Sequence, residues 1–419
     1  MFNRRQFLLA SSLAIGATAC SNATTGASTS GSAAGSTAIT YWLWQDNATD
    51  TTWADLAKEF NAAQKQVQVT LETIPLDQYQ NKLTTAIMNG TGPDAARCKD
   101  WWVGQLAPQG ALAGMNAMTK DWSGKSDVIE SLWETGRLPG KDEVYMLPHQ
   151  YVTLYMYYRK DYFAEIGAAA PKSQEEFLAA AQKLTNSKRY AMDVRGGGGG
   201  QDQWLAWMFA GGAKVVDAKG AVVLDDATAI SVNQRYLDIV QKYKAAPPGS
   251  ITAAFADVKK NFADGLTAMM IHHPGSLKEM VTLYGDKLGV IPVPTGDGQP
   301  GATLGSMSGN VIMSASKKQA AAWKWISWLC ERAPMAKMSL SAQGQLPVLN
   351  SVSAQKEFTD DKNLAVAVQA IKTAKAWPAL AGVSTLAGKE WNPTIQQAFQ
   401  GQLTSEAAMK KMADVLRKS

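Results

Sequence analysis

Apolar residues recur along the chain at two alternating spacings, and each spacing predicts a different kind of element. Residues 39–44 form a short apolar, β-prone run, and residues 67–71 alternate apolar with polar side chains, so both predict strands. Between them, the apolar residues of 53–60 fall at i, i+3, i+4 and i+7, which is one buried face of a helix. The order strand, helix, strand indicates an α/β fold.

The same alternation continues to the end of the chain. Ser173 with Glu176 three residues later has the form of a helix capping box, and the apolar residues that follow predict a helix. Such a succession predicts a largely parallel sheet, and 419 residues exceed one ordinary core, so we expect two lobes. Further strands are predicted at 144–158, 268–271 and 288–293, and further helices at 79–87, 204–209, 320–330 and 406–416.

The first residues have the form of an export signal. Arg4 and Arg5 precede the apolar run 7–15, which is too short to remain as a membrane span. The string 3–8, Asn-Arg-Arg-Gln-Phe-Leu, resembles a twin-arginine signal, and the alternative is the basic start of an ordinary secretory signal. Both interpretations predict an exported protein.

A cysteine closes this signal. Residues 17–20, Ala-Thr-Ala-Cys, resemble a lipobox, in which acylation of the Cys20 thiol would anchor the mature chain to the cell membrane. The alternative is a non-lipidated cleavage site beside a chance cysteine. Residues 21–38 are rich in Ser, Thr, Gly and Ala and predict a flexible tether, so the folded part should begin near Ile39.

Composition and charge exclude several classes of function. Hydrophobic residues make up 46% of the chain and charged residues 18%, as in a globular protein. The net charge of +5 is spread out, without a dense basic tract, so we expect no nucleic-acid partner. Three histidines without an HExxH spacing or a Cys/His cluster predict no metal site, and no motif predicts a cofactor. Cys98 and Cys330 could pair in an exported protein, but two isolated cysteines are more often buried apolar residues.

Four blocks of sequence together carry a family resemblance. They are residues 39–61, 79–112, 147–177 and 262–326, and their order and spacing agree with the family over nearly all of the mature chain. On these blocks, and on Gln-Leu-Pro-Val at 345–348, the chain resembles the extracellular solute-binding proteins of family 1. That group contains the maltose- and multiple-sugar-binding lipoproteins.

The resemblance implies a periplasmic-binding-protein-like fold of type II. Two α/β lobes joined by hinge strands would close over a ligand in the cleft between them. By analogy, the first lobe takes residues 39–147 and 271–333, and the second takes residues 148–270 and 334–419. The resemblance also implies a monomeric, non-catalytic receptor that delivers its ligand to the permease subunits of an ABC transporter.

Two loops after predicted strands combine aromatic rings with carboxylates. In open α/β sheets, ligands gather beyond the carboxyl ends of the strands. A sugar offers hydroxyls to planar polar side chains and apolar C–H faces to aromatic rings. For each tryptophan, core packing is the alternative to a ligand role. The candidates in these loops are Trp44, Gln45 and Asp46, followed by Asp100, Trp101 and Trp102.

The resemblance adds candidates where the chain enters the second lobe. His149, Gln150 and Tyr151 occupy a position that faces the cleft in the family. Gly275 is a further candidate, although the chain departs from the family here. The family often has a tryptophan after Gly-Pro where this chain reads Pro-Gly-Ser at 274–276, so one stacking ring is missing from this position. A second departure is Arg159, where the family often has Asn.

Other candidates come from separate parts of the chain. Trp204 opens a helix after the glycine run 196–200, and Trp377 lies in a C-terminal loop. Each of these rings either stacks on the ligand or belongs to the core. The glycine run matches no phosphate-loop motif, but its backbone N–H groups could meet an oxygen-rich ligand. Ser306, which is followed by Met307 and Ser308, is a further candidate.

The candidate side chains favour a mono- or oligosaccharide as the ligand, because aromatic rings and carboxamides suit sugars. Glycerol-3-phosphate should require cleft Arg or Lys side chains, and a polyamine should require a cluster of carboxylates; both remain alternatives. An alternative from another class is a lipid-tethered enzyme or adhesin that acts on polysaccharides. No Gly-x-Ser-x-Gly motif occurs, and no carboxylate pair stands out.

Overall fold

The computed structural model describes residues 35–45, 49–138, 141–296 and 301–418. The export signal, Cys20 and most of the predicted tether lie outside these described residues. The first strand begins at Thr37, two residues before the predicted start of the fold, so the last residues assigned to the tether belong to the sheet. Thr37 pairs with Val67, which explains why the polar start of this strand is extended.

The described part of the chain contains strands of two to eight residues and helices of four to fifteen residues. The strands are β1 (Thr37–Leu43), β2 (Val67–Thr73), β3 (Ala95–Lys99), β4 (Leu147–Thr153), β5 (Tyr155–Arg159), β6 (Tyr190–Met192), β7 (Thr267–His272), β8 (Leu288–Ile291), β9 (Gly305–Ile312) and β10 (Leu346–Pro347). The helices are α1 (Thr52–Ala63), α2 (Leu76–Met88), α3 (Asp100–Leu106), α4 (Asn116–Thr119), α5 (Lys160–Glu165), α6 (Gln174–Leu184), α7 (Gly200–Ala210), α8 (Ala227–Gln241), α9 (Phe255–Ala263), α10 (Leu277–Tyr284), α11 (Gln319–Leu329), α12 (Arg332–Ser339), α13 (Asn350–Ser353), α14 (Lys356–Thr359), α15 (Lys362–Ala370), α16 (Ala381–Thr385), α17 (Trp391–Phe399) and α18 (Ser405–Arg417).

The strands form two sheets, and each sheet is the centre of one lobe. The six-stranded sheet has the order β10-β4-β9-β3-β1-β2, and the four-stranded sheet has the order β6-β7-β5-β8. Helices α1, α11 and α12 pack on the six-stranded sheet, in what we call the first lobe. Helices α6 and α9 pack on the four-stranded sheet, and α8 packs against α6, α7, α17 and α18 in the second lobe. The α/β architecture with two lobes is therefore as predicted.

Local sequence explains where the helices begin. In α6 the Ser173 hydroxyl accepts a hydrogen bond from the Glu176 N–H at 3.1 Å, and the Glu176 carboxylate accepts from the N–H groups of Lys172 and Ser173. The predicted capping box is thus confirmed. In α1, the predicted apolar face is buried, with Trp53, Leu56, Ala57 and Phe60 all turned to the core.

The prediction of a largely parallel sheet is wrong. β1 is parallel to β2 and β3, and β6 is parallel to β7, but β9 runs antiparallel to both β3 and β4. In the second sheet β5 is antiparallel to both β7 and β8. The path of the chain explains the mixed directions. Strands joined by a local βαβ crossover are parallel, whereas a strand that leaves for the other lobe or returns from it runs in the opposite direction.

The strand pairing also divides the chain between the two lobes at residues other than those that the resemblance implied. β4 pairs with β9 through Thr153, so residues 148–153 belong to the first sheet. β7 and β8 both pair with β5, so residues 271–291 belong to the second sheet. β10 pairs with β4, and α12 and α13 pack against it, which places the chain around 332–353 in the first lobe.

Two extended segments connect the lobes side by side. Leu154 alone separates β4 from β5, so one strand path runs from the first sheet into the second. The returning segment ends at Leu304, whose carbonyl oxygen accepts from the Leu154 N–H at 3.1 Å. The Thr303 hydroxyl donates to the Leu154 carbonyl oxygen at 2.6 Å. This pair of segments is the hinge candidate of the fold.

A buried carboxyl group lies in the second lobe, directly after β6. Asp193 is fully buried, and its Oδ2 accepts from the Asn261 Nδ2 at 3.0 Å. Its Oδ1 has no hydrogen-bond partner among the described residues. Burial raises the pKa of this carboxyl to about 6, because the charged form loses its hydration.

We expect Asp193→Asn to remove a pH-dependent loss of stability. The folded-state pKa of about 6 lies above the ordinary value of 3.8, so the carboxyl destabilises the fold as the pH rises from about 4 through 6. The unfolding free energy of the variant minus that of the wild type should therefore rise by up to about 3 kcal/mol between pH 4 and pH 7. Urea unfolding of both proteins at each pH measures this difference. A difference that stays constant with pH would contradict the raised pKa of the Asp193 carboxyl.

Candidate functional site

A cavity of about 1130 Å³ lies between the two lobes, and residues from both lobes line it. At the hinge region, the lining includes the apolar residues Val152, Leu154 and Leu304 and the hydroxyl-bearing residues Ser306 and Ser308. A cavity of this size holds a small ligand of several rings. The hinge position means that any movement of the lobes would change the shape of the cavity.

The first-lobe wall is aromatic. Trp44 follows β1, and Trp101 and Trp102 lie in the first turn of α3. Trp102 meets both other rings edge to face at centroid distances of 5.5 Å and is stacked on Tyr79 at 5.6 Å. These ring contacts fix the orientation of the three indoles, because each indole packs against another rigid ring. We call Trp44, Trp101 and Trp102 the aromatic wall.

Polar side chains surround the aromatic wall. The Arg97 guanidinium lies 4.0 Å from the Trp44 ring centroid, and its Nη1 donates to the Trp44 carbonyl oxygen at 2.8 Å. On α2, Gln80 and Asn81 line the cavity, and the Gln80 Nε2 donates to the Gln105 Oε1 at 3.2 Å. Carboxamides beside indole rings give this wall both hydrogen-bonding groups and apolar surface.

The second-lobe wall combines glycine backbone with polar side chains. Gly198, Gly199, Gln201 and Asp202 line the cavity at the start of α7, and Arg195 precedes them. Arg195 has a φ of 41°, in the left-handed region that costs free energy for a residue with a side chain. The backbone of the glycine run lies against the backbone around Thr252. A side chain would prevent this approach, because a Cβ on Gly197 would lie 2.3 Å from the Thr252 carbonyl oxygen.

An aromatic stack completes the second-lobe wall. Phe255 begins α9, and its ring centroid lies 4.1 Å from that of His272 and 5.1 Å from that of His273. The His272 Nδ1 lies 2.8 Å from the Ser276 hydroxyl. Burial and the neighbouring His273 lower the pKa of His272 well below its usual value, so its imidazole is neutral at pH 7.

One ion pair crosses the cavity. The Lys99 Nζ, at the end of β3 in the first lobe, lies 4.0 Å from the Asp202 Oδ2 in the second lobe. Both side chains are about four-fifths buried. The pair connects the facing walls at one point. Its contribution to the stability of this arrangement depends on how closely the lobes approach each other.

A π-helical turn borders the cavity on its C-terminal side. Residues Leu386–Glu390 form this turn between α16 and α17, and Ala387, Gly388 and Lys389 line the cavity. π-helical turns widen a helix by one residue and occur often at functional sites. Nothing in the sequence pattern of this segment predicts such a turn.

Several residues predicted from the sequence do line the cavity. They come from the loop after β1, from α3 and from β9, as expected for residues that follow or end strands. Asp46 lies outside the described residues. The predicted residues on the cavity wall are Trp44, Gln45, Trp101, Trp102 and Ser306, together with Ser308.

The structure places the predicted Trp204 and Trp377 away from the cavity lining. Trp204 is fully buried in the second lobe, and its Nε1 donates to the Asn233 Oδ1 at 2.9 Å. Trp377 is also buried. For Trp204, core packing is therefore the role that the geometry supports, because helix α7 turns this ring toward α8 and α17.

The other predicted residues lie beneath the cavity wall or beside it. Asp100 is buried. Its Oδ2 accepts a hydrogen bond from the Met307 N–H at 3.0 Å, and its Oδ1 accepts one from the Trp101 N–H at 2.9 Å. Burial raises the pKa of the Asp100 carboxyl to about 6. His149 and Gln150 are sealed in the first lobe, and burial lowers the pKa of His149 to about 3. Tyr151 packs against the backbone of Gly305.

Gly275 also lies outside the lining. Its N–H donates to the His273 Nδ1 at 2.9 Å, and its backbone is in close contact with Gly344. Because of these contacts, the segment after β7 turns away from the cavity. The neighbouring residues that line the cavity are His272, the last residue of β7, and His273, which follows it.

The sequence reasoning missed most of the second-lobe wall. Arg195 had a signal, since it is a basic residue immediately before a glycine run at a helix start. Phe255 had a weaker one, as an aromatic residue that opens a helix. Lys99 and Asp202 carried no signal, because their pairing depends on how the two lobes face each other.

Other kinds of site receive no support within the described residues. No group of three or more His, Cys, Asp or Glu side chains there could hold a metal ion. Cys98 and Cys330 are both buried and unpaired. Among the described helices, none has the length and apolar character to cross a membrane.

Comparison with known proteins gives the chain a family context. The sequence profile described as bacterial extracellular solute-binding protein matches residues 55–366. A binding protein of Brucella abortus is 25% identical over 366 residues, which cover 86% of this chain and 87% of the relative. The maltotriose-binding protein of Pyrococcus abyssi is 24% identical over 345 residues, which cover 77% of this chain and 69% of the relative.

A solved structure shows the same architecture. It is an ABC transporter solute-binding protein of Thermotoga lettingae bound with α-D-tagatose. The TM-score is 0.81 at 25% sequence identity, and the match covers 91% of this chain and 99% of that one.

Proposed function

The chain belongs to the bacterial extracellular solute-binding proteins, and we propose that it captures a mono- or oligosaccharide between its lobes and delivers it to the permease of an ABC importer. One observation carries this proposal: an aromatic wall and a polar wall face each other across a cavity of about 1130 Å³. A saccharide needs both, since its C–H faces lie against rings and its hydroxyls need hydrogen-bond partners. The relatives and structural neighbours that bind sugars support the same ligand class.

The charges around the cavity argue against a polyamine. Among the described lining residues, Asp202 is the one carboxylate, and four cationic side chains line the same cavity. A polyamine would need a cavity lined by more carboxylates than cations.

The relatives are binding proteins, and we propose that this chain likewise binds its ligand without transforming it. Incubation with glycans tests this point, because a lipid-tethered enzyme would change the glycan and a receptor would release it intact.

We propose closure of the lobes as the mechanism. A ligand that contacts both walls stabilises the arrangement in which the walls are near each other, and the strand path through Leu154 permits the movement. The ligand can shift this equilibrium only by the difference between its affinities for the closed and open forms. The closed monomer would then be the form that docks on the permease.

Compaction on binding is the expected sign of closure. Addition of a saccharide that raises the melting temperature should reduce the radius of gyration measured by small-angle scattering, because both lobes contact the ligand. A sugar that causes no thermal shift serves as the control. Tight binding at an unchanged radius of gyration would contradict the closure mechanism.

Trp101 is the ring of the aromatic wall that we expect to contribute most directly to affinity, because this buried ring keeps 5% of its surface exposed whereas Trp102 and Trp44 keep 2% and 1%. Trp101→Ala should weaken saccharide binding by about 5- to 150-fold, equivalent to about 1–3 kcal/mol of lost ring contact. Isothermal titration measures the affinity. Salt should have little effect, because the contact involves no charge.

Trp204→Phe is the matched control for that experiment. It removes the hydrogen bond to Asn233 and part of the core packing, so the unfolding free energy should fall by about 1–3 kcal/mol while affinity stays unchanged. Loss of affinity in the Trp204 variant, or unchanged affinity in the Trp101 variant, would contradict the placement of the site.

We also propose that the exported chain is anchored through an acylated Cys20, although that residue lies outside the described part of the structure. The proposal is supported by the lipobox-like sequence at 17–20 and by the small and polar tether that follows it. Several acyl chains on one residue anchor a protein stably, whereas one chain binds reversibly. The export route, twin-arginine or general secretory, is not part of this proposal.

Cys20→Ala should release the protein from the membrane fraction or leave it unprocessed, because the acceptor thiol is lost. Fractionation followed by mass spectrometry of the N-terminal peptide measures both outcomes. Cys98→Ala is the control, since that cysteine is buried in the first lobe and should not affect the anchor. Firm membrane association of the Cys20 variant would refute the lipid anchor.

A further inference from the structure

A cationic side chain lies on the cavity wall without a carboxylate partner. Arg195 is half-buried, and its Nε and Nη2 both donate to the Gly198 carbonyl oxygen, at 3.3 and 3.0 Å. The guanidinium lies 5.2 Å from the Phe255 ring centroid. Within the described part of the chain it forms no ion pair. Burial lowers the pKa of Arg195 to about 10, as expected for a cation that has lost water without gaining a full counter-charge.

The amino end of α7 meets the cavity beside this guanidinium. The helix has 11 residues, begins after Gly199 and has no side-chain cap. The first N–H groups of a helix and its dipole favour negative charge at this end. Gly198 and Gly199 line the cavity, so a ligand can approach the backbone there.

Two buried side chains at the same wall lack hydrogen-bond partners among the described residues. Gln201 is 6% exposed and lines the cavity, and its Oε1 has no partner. His272 is 1% exposed and lines the cavity, and its Nε2 has no partner. A ligand that supplied bonds to these atoms would recover the free energy that their burial costs.

The one nearby carboxylate of the described lining favours the charged form of Arg195 but forms no ion pair with it. Asp202 is the one carboxylate among the described lining residues, and Lys99 from the opposite wall lies 4.0 Å from it. Lys389 adds an exposed cation at the rim, on the π-helical turn. This end of the cavity is therefore positive, while the aromatic wall opposite is suited to sugar rings.

We propose that the cavity takes an acidic saccharide, with a carboxylate or phosphate group held by Arg195 and the amino end of α7. The inference rests on the proposed saccharide-binding function and narrows its ligand class. The sugar ring that carries the acidic group lies between Phe255 and the aromatic wall. Gln201 and His272 form hydrogen bonds with hydroxyls next to that group. A charge-assisted bond to the guanidinium distinguishes the acidic saccharide from its neutral counterpart.

The test compares saccharides that differ only in the acidic group. Isothermal titration of the purified protein at low salt uses three pairs: glucuronate with glucose, glucose 6-phosphate with glucose, and digalacturonate with galactobiose. In at least one pair the acidic member should bind about tenfold more tightly or better, and the ratio should fall as sodium chloride is added. The uronate and phosphate pairs identify which anion the site prefers.

Variants assign the preference to Arg195. Arg195→Gln should bring the ratio of acidic to neutral affinity close to one, and Arg195→Lys should keep part of the preference because the charge remains. The ratio is measured within one protein preparation, so a loss of folded protein affects both ligands equally. Arg332→Gln is the control, since Arg332 is exposed and lies outside the cavity, and the ratio should be unchanged.

The outcomes separate this inference from the proposed function. Equal or tighter binding of the neutral member in every pair overturns the inference and leaves the saccharide receptor intact. A preference for the acidic member that persists in Arg195→Gln overturns the assignment to this side chain. Failure of all neutral and acidic saccharides in a wider library to bind overturns both the inference and the proposed function.

Discussion

The hydrogen bond from the Thr303 hydroxyl to the Leu154 carbonyl oxygen, 2.6 Å long, joins the two segments through which the chain passes between its sheets. The Leu154 N–H returns a bond to Leu304, so both passages are held side by side. Extended segments joined in this way can bend and twist together but do not slide apart. The lobes are therefore joined where these segments lie side by side, and Leu154 and Leu304 at this junction also line the cavity.

The walls on the two sides of this axis differ in how they are built. In the first lobe, the indoles are held by stacking and edge-to-face contacts with Tyr79 behind them, which gives a fixed apolar surface. In the second lobe, the wall is formed by a glycine-rich loop, a helix start and a strained Arg195 backbone. A rigid apolar surface opposite polar backbone suits a ligand with distinct apolar faces and polar edges. The fixed wall can select the shape of the ligand, and the polar wall can select its chemistry.

Sequence patterns predicted the elements well because burial on one face leaves a local trace. The α1 face, the α6 capping box and the strands at β1, β2 and β7 all depend on residues within one turn or one strand of each other. Sheet direction was mispredicted, and the strand pairing divides the chain at residues other than those the resemblance implied. Both features depend on which distant strands meet, as in the pairing of β9 with β3 and β4. The predicted residues that line the cavity in the first lobe follow or begin strands. The second-lobe wall was missed because a basic residue, a phenylalanine and a π-helical turn acquire a role only when the opposite lobe faces them.

The repeated crossing of the chain has a consequence for the order of folding. Neither lobe is a continuous stretch: the Thr153 hydroxyl donates to the Ala367 carbonyl oxygen across 214 residues, and Asn233 bonds to Ser405 across 172. The edge strand β10 of the first sheet is synthesised after every strand of the second sheet. Contacts that close such long loops form slowly, since the entropy of loop closure must be overcome before they contribute stability. A nascent chain that lacks its last hundred residues therefore lacks parts of both lobes, so neither lobe can be completed until synthesis is nearly finished.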